Sequence, residues 1–213
     1  MNHEFLDAVK RGDAESVTRL LHAQPELIGF GDEYAKTGLH WAAETDQLET
    51  ARVLLDEGAD IEATTTWGAT PLDWAATMGS TRVAGLLLER GASGFTIIVA
   101  AALGKFEEVK RMVDSAHIEI EVLSNAMYAA ARNGHTGVVE YLLDHGASID
   151  TKGIFSATGL HWAAINGHRK TVELLLTRGA NLRIHDQRFN STPAGWANEG
   201  GHADIAELLR PAE

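Results

Sequence analysis

Valine and leucine recur along the chain in short stripes at helical spacing, and each stripe closes on Gly-Ala. Leu87 and Leu88 lead to Gly91-Ala92; Val138, Val139, Leu142 and Leu143 lead to Gly146-Ala147; Val172, Leu175 and Leu176 lead to Gly179-Ala180. Twelve residues before each Gly-Ala pair stands another glycine, at Gly79, Gly134 and Gly167. Ahead of it lies a second apolar block. Thr37-Gly38-Leu39-His40-Trp41-Ala42-Ala43 returns as Thr70-Pro71-Leu72-Asp73-Trp74-Ala75-Ala76 and as Thr158-Gly159-Leu160-His161-Trp162-Ala163-Ala164. A looser copy is Thr192-Pro193-Ala194-Gly195-Trp196-Ala197-Asn198. The pattern predicts two short helices per copy. The threonine caps the first, small alanines allow close approach of the next copy, the glycine reverses the chain, and the Val/Leu stripe buries the second helix.

Degenerate copies are set by Ala100-Ala101 with Gly104 and by Ala130-Ala131 with Gly134, and an atypical one by Ala8-Val9, Gly12, Val17, Leu20 and Leu21. Repeats therefore start near residues 3, 37, 70, 95, 125, 158 and 192 and fill one domain over residues 1–213, with 1–36 and 192–213 as polar-faced end caps. No copy can bury its apolar side alone, so the copies must stack in order. Most spacings are 33 or 34 residues, but the steps into the repeats at 95 and 125 are 25 and 30. Too little chain follows Gly91-Ala92 for a full connection. We expect a missing finger near residue 94, an altered one at 117–123, and a notch halfway along the array.

The repeated Thr-Pro-Leu and Leu-His blocks and the Gly-His and Gly-Ala punctuation resemble ankyrin repeats, in register after register. The resemblance implies an all-α solenoid of about seven helix pairs joined by short β-hairpin fingers. It also implies a non-catalytic protein-protein interaction module that meets its partner through a concave face and the fingers. Gly195-Trp196 and the ending Gly200-Gly201-His202 look like those of bacterial ankyrin proteins.

Charge narrows the partners. With 30 acidic residues against 18 basic the formal net charge is -12, so phosphate backbones and anionic membrane surfaces are repelled, and neither nucleic acid nor membrane is expected. The imbalance is concentrated: residues 1–94 hold 7 basic and 16 acidic side chains, net -9, and residues 95–213 hold 11 and 14, net -3. A basic partner is expected to approach the N-terminal half. The absence of cysteine removes disulfides and thiolate chemistry. The acidic N-terminal residues lack a signal peptide's basic region, so a cytoplasmic protein is expected.

Ten histidines invite a metal or acid-base reading. Equivalent histidines on successive repeats are too far apart to share one ion with ligand distances near ~2 Å, so no metal is expected. By the resemblance, His40 and His161 hydrogen-bond the turns of their own and neighbouring repeats, while His135, His168 and His202 follow turn glycines. His185-Asp186 and Asp144-His145 each pair a base with an acid, but neither stands beside a nucleophile. With no nucleophile elbow and no phosphate or dinucleotide loop, neither catalytic residues nor cofactors are expected.

Two aromatic series carry more information. Trp41, Trp74, Trp162 and Trp196 sit four residues after the capping threonine, where they would pack between repeats. Tyr34, Trp67, Phe155 and Phe189 sit three residues before it. The resemblance places this position at the exposed finger. We expect these four, with Glu33, Met78, Ile154, Arg188 and neighbours such as Lys36, Thr66, Glu44 and Arg132, to form the recognition surface. The competing expectation is that each aromatic folds onto the tryptophan of its own repeat or the next finger. A rival function is a small apolar or aromatic ligand, or an atypical reaction, in the mid-array notch, with Trp67, Phe95, Tyr128 and Phe155 as walls.

Overall fold

The computed structural model describes residues 2–210. The chain divides into two compact units, Met1–Phe95 and Thr96–Glu213.

In the first unit α1 (Asn2–Arg11), α3 (Gly38–Glu44) and α5 (Pro71–Met78) are the first helices of successive repeats, and α2 (Ala14–Ala23), α4 (Leu48–Asp56) and α6 (Thr81–Glu89) are the second. First helices pack on first helices, second on second, and each pair packs on itself. Phe5, Val17, Leu39, Leu54, Leu72 and Leu87, none more than 1% exposed, are the apolar positions that drive this packing. Threonine fixes where each first helix begins. Thr70 Oγ1 accepts from Asp73 N–H at 3.2 Å while the Asp73 carboxylate accepts from Thr70 N–H at 3.1 Å, a reciprocal cap worth about 1 kcal/mol. In α3 the same role falls to His40, whose Nδ1 accepts from Thr37 N–H at 3.2 Å.

The second unit repeats this plan with α7 (Ile97–Ala102), α9 (Ile120–Arg132), α11 (Gly159–Ile165) and α13 (Pro193–Glu199) as first helices. Their partners are α8 (Phe106–Ser115), α10 (Thr136–Asp144), α12 (Arg169–Thr177) and α14 (Ala203–Leu208). Fully buried Ala100, Ala126, Ala130, Ala163 and Ala197 line the first helices, and Val139, Leu142, Val172 and Leu175 the second. Where a glycine reverses the chain, the next repeat's histidine lies against it. Gly134 has φ +74°, and a Cβ there would stand 2.6 Å from the His168 ring.

Fingers form where the spacing is 33 or 34. Gly31 bridges Thr37 and Lys152 bridges Thr158 in antiparallel fashion. Thr65 N–H donates to Ala69 O at 3.0 Å, and Asp186 N–H to Ser191 O at 3.1 Å. Residues 90–96 instead run straight from α6 to the Thr96 cap of α7, and residues 116–119 join α8 to α9. Around 117–123 the chain is mostly helix: α9 starts at Ile120 and carries the helical conformation through residues 120–124. The segment Ile120-Glu121-Val122-Leu123-Ser124 contains neither glycine nor proline to stop it.

Candidate functional site

The fingers share a local geometry. The residue after each finger aromatic is left-handed: Ala35 (φ 58°), Gly68 (φ 81°), Ser156 (φ 56°) and Asn190 (φ 50°). Three of the four are not glycine, so those three fingers hold a conformation disfavoured for their residue. Side-chain acceptors hold it there. Asp32 Oδ1 accepts from the N–H groups of Tyr34 at 2.9 Å and Lys36 at 3.0 Å. Asp186, 2% exposed, does more. Its carboxylate accepts from Arg188 N–H at 2.6 Å, Phe189 N–H at 2.8 Å, Ser191 N–H at 3.0 Å and the Trp196 indole at 2.8 Å. Burial pushes this carboxyl up, but the bonds from Phe189, Trp196, Ser191 and Arg188 outweigh it and bring the pKa down to about 2. Successive fingers are also tied by backbone: Thr66 N–H donates to Tyr34 O at 2.9 Å, and Gln187 N–H to Phe155 O at 2.7 Å.

The four finger aromatics are turned outward, with Tyr34 49%, Trp67 54%, Phe155 42% and Phe189 49% exposed. They also touch. In the first unit the Tyr34 and Trp67 centroids lie 5.6 Å apart, and Trp67 lies 5.8 Å from Trp74. In the second, Phe189 meets Trp196 edge-on at 5.7 Å. The contact expected of stiffening and the exposure expected of recognition thus occur in the same side chains.

Beneath the first unit's pair lies a cavity of about 620 Å³ walled by Leu6, Phe30, Tyr34, Trp41, Trp67 and Trp74. Lys10 and Lys36 reach the Trp41 ring from 3.7 and 3.3 Å, and Lys36 lies 4.7 Å from the Trp74 ring. The Lys36 ammonium pairs with the Glu44 carboxylate, which also accepts from the Trp74 indole at 2.9 Å. Lys36 is 5% exposed and part of the internal structure. Asp7, Asp32 and Glu33 also line the cavity.

In the second unit Arg188 stands 5.1 Å from the Phe155 ring and 5.0 Å from the Phe189 ring, and Arg132 stacks on Trp162 at 3.6 Å. Burial holds the Arg132 guanidinium down to about 10 and raises the Tyr128 hydroxyl. Trp162 in turn packs on Trp196 at 4.9 Å.

Of the other expected surface residues, Glu33 and Arg188 are exposed, while Met78, at the end of α5, and Ile154, in the finger before α11, are half-buried. Of the walls expected at mid-array, Trp67 lines the first unit's cavity and Tyr128 is buried. Four of the ten histidines bond the backbone across repeats. His40 Nε2–H donates to Ala69 O at 3.0 Å and His161 Nε2–H to Ser191 O at 3.3 Å, bonds reaching from one repeat to the next finger, and burial lowers both pKa values. His135 and His168 face Ala102 O at 3.0 Å and Arg132 O at 3.1 Å, and burial lowers them too. Asp144 pairs with Arg178 at 2.7 Å, and His185 Nδ1 faces Arg183 O. No helix is long and apolar enough to cross a membrane among the described residues.

The structural likeness is to the crystal structure of the human ASB11 ankyrin repeat domain, at 24% identity and a TM-score of 0.49, with 98% of each chain covered. In sequence the chain is 29% identical over 144 residues, 66% of its length, to a Caenorhabditis elegans protein. That relative is the transient receptor potential cation channel subfamily A member 1 homolog, and the match spans 10% of it. Residues 5–96 match the family described as ankyrin repeats (3 copies), and residues 127–176 match ankyrin repeats (many copies). The chain belongs to the ankyrin repeat family.

Proposed function

We propose that the chain is a non-catalytic module that binds another protein through its finger aromatics, Tyr34, Trp67, Phe155 and Phe189, with Glu33, Met78, Ile154 and Arg188 beside them. Ankyrin repeats are generally protein-protein interaction modules. One observation carries the finer reading: the finger aromatics stay 42–54% exposed while Trp196 is 1% exposed. Large apolar rings held in water on left-handed turns give a partner rigid contact area at small entropic cost. Four histidines whose nitrogens are engaged with backbone and capping groups favour a structural over a catalytic role for imidazole here. The excess of acids in residues 1–94 favours a basic partner on that side.

The test is native mass spectrometry of the protein drawn gently from an extract of its source organism. A protein-sized adduct on the wild type, lost from a folded Trp67→Ala/Phe155→Ala variant, is the expected result. A persistent adduct of small-molecule mass that survives those substitutions would overturn the reading in favour of a ligand site.

A further inference from the structure

The two units treat their finger aromatics differently, and the difference rests on one residue. Arg188 stands directly before Phe189 and places its guanidinium about equally far, 5.1 and 5.0 Å, from the rings of two successive fingers. The corresponding position before Trp67 is Thr66, short and uncharged. There the two finger rings have closed to 5.6 Å, and both remain about half exposed. The first unit does hold a cation on aromatic faces, but one layer deeper, where Lys36 lies over Trp41 and Trp74 against Glu44. Among the described residues no cation lies over its outer pair, although both pairs are about equally exposed.

The surroundings of that outer pair favour positive charge. Asp7, Asp32 and Glu33 line the cavity below it together with Lys10 and with Lys36, whose charge is paired with Glu44, and the unit carries 16 acids against 7 bases. At about 620 Å³ the cavity has room for a side chain with part of its backbone, well beyond a single ion. A guanidinium suits the place better than an ammonium. It is planar, more weakly hydrated, stacks on an indole, and still presents N–H groups to a carboxylate. Lys10, over Trp41 at 3.7 Å, occupies the base of the groove with charge of the same sign and keeps a second cation at the outer pair.

Resting on the interaction reading above, we infer that the Tyr34–Trp67 groove is the docking site for an arginine in a basic segment of the protein partner. The partner supplies from outside the guanidinium that Arg188 supplies from within in the second unit. Glu33 and Asp7 provide the counter-charge.

The test uses the full chain and two fluorescein-labelled peptides of equal length, alternating arginine with glycine and lysine with glycine. Anisotropy titrations at moderate salt are run on the wild type and on Trp67→Ala, Thr66→Arg and Glu49→Gln. The arginine peptide should bind at least tenfold tighter than the lysine peptide. Trp67→Ala should weaken it at least tenfold, and so should Thr66→Arg, which fills the groove from within. Glu49→Gln, which makes the same unit charge change on α4 as Thr66→Arg, should alter it less than twofold. Circular dichroism melts keep loss of fold apart from loss of binding. Equal binding of the two peptides, or a Trp67→Ala variant that binds like the wild type, would overturn the inference and leave only diffuse attraction by an acidic surface. If the arginine peptide fails while Trp67→Ala/Phe155→Ala still loses the native partner, this inference falls and the interaction reading stands. A partner retained by that variant removes the interaction reading itself.

Discussion

Replacing Asp186 perturbs the last finger at its one buried charge. The carboxylate accepts three backbone N–H groups and the Trp196 indole, whose side chain is 1% exposed and has no route to water. In Asp186→Ala the backbone groups of the exposed finger can turn to solvent, but the indole N–H is left buried and unsatisfied. A stranded buried donor costs about 1–3 kcal/mol and a bond to a charged group contributes about 1.5–3 kcal/mol net, so with the finger's backbone groups returned to water a total of about 3–4 kcal/mol is expected. Acid provides a second, smaller measure of the same contacts. A carboxyl lowered from 3.8 to about 2 stabilises the fold fully above its unfolded pKa and loses that contribution as pH falls through its folded pKa. At about 1.4 kcal/mol per pH unit the loss is about 2–3 kcal/mol. Asp186→Asn, which keeps one acceptor oxygen, should cost about 2 kcal/mol at pH 7. Urea unfolding followed by circular dichroism from pH 6 to pH 2 measures both. The wild type should lose its advantage over the Asn variant below about pH 4. A difference under ~0.5 kcal/mol at pH 7, or parallel curves throughout the range, would refute the argument.

The four histidines with burial-lowered pKa values make the fold acid-sensitive at higher pH as well. Unfolded histidine takes up its proton near 6.5 while the folded ring resists, so stability should fall as pH drops below about 6.5, and His40→Gln with His161→Gln should flatten that slope in a urea titration. Ser156→Gly should raise the unfolding midpoint by the equivalent of about 0.5–1 kcal/mol by relieving the left-handed strain at φ 56°. Gly134→Ala should lower it by at least ~1 kcal/mol, because the new methyl group meets the His168 ring at a positive φ. Trp196→Ala should destabilise by about 3–5 kcal/mol, whereas Trp67→Ala should cost less than ~1 kcal/mol by the same assay.

The repeat itself is legible because the forces that build it are local: a threonine cap, a glycine turn and a stripe at helical spacing all lie within one copy of the sequence. The exposure of the finger aromatics follows from their place three residues before the cap. Lys36 was expected on the surface and is buried, because its surroundings come from Trp41 and Trp74 on two different repeats and from Glu44, none of which its own sequence neighbours reveal. Asp186 read as one half of an acid-base pair with His185. Its role as finger anchor depends on the Trp196 indole ten residues on, and the signal available was an acid at the base of a finger followed by a helix-one tryptophan. Arg132 was counted among surface positions and is stacked on Trp162, a contact set by the packing of α9 on α11. Left-handed turns at Ala35 and Ser156 were hidden because neither residue advertises a positive φ, and side-chain and backbone bonds in the finger impose it.

On the reading proposed above, the finger aromatics bind a partner and are dispensable for the fold. Its most direct test is an isothermal titration of the captured partner against the wild type and against Trp67→Ala/Phe155→Ala, with a thermal melt of each. An affinity loss of about 2 kcal/mol or more, roughly thirtyfold, at a nearly unchanged melting temperature is expected. Unchanged affinity with a melting temperature lowered by several degrees would contradict it and assign these rings to stiffening the fingers.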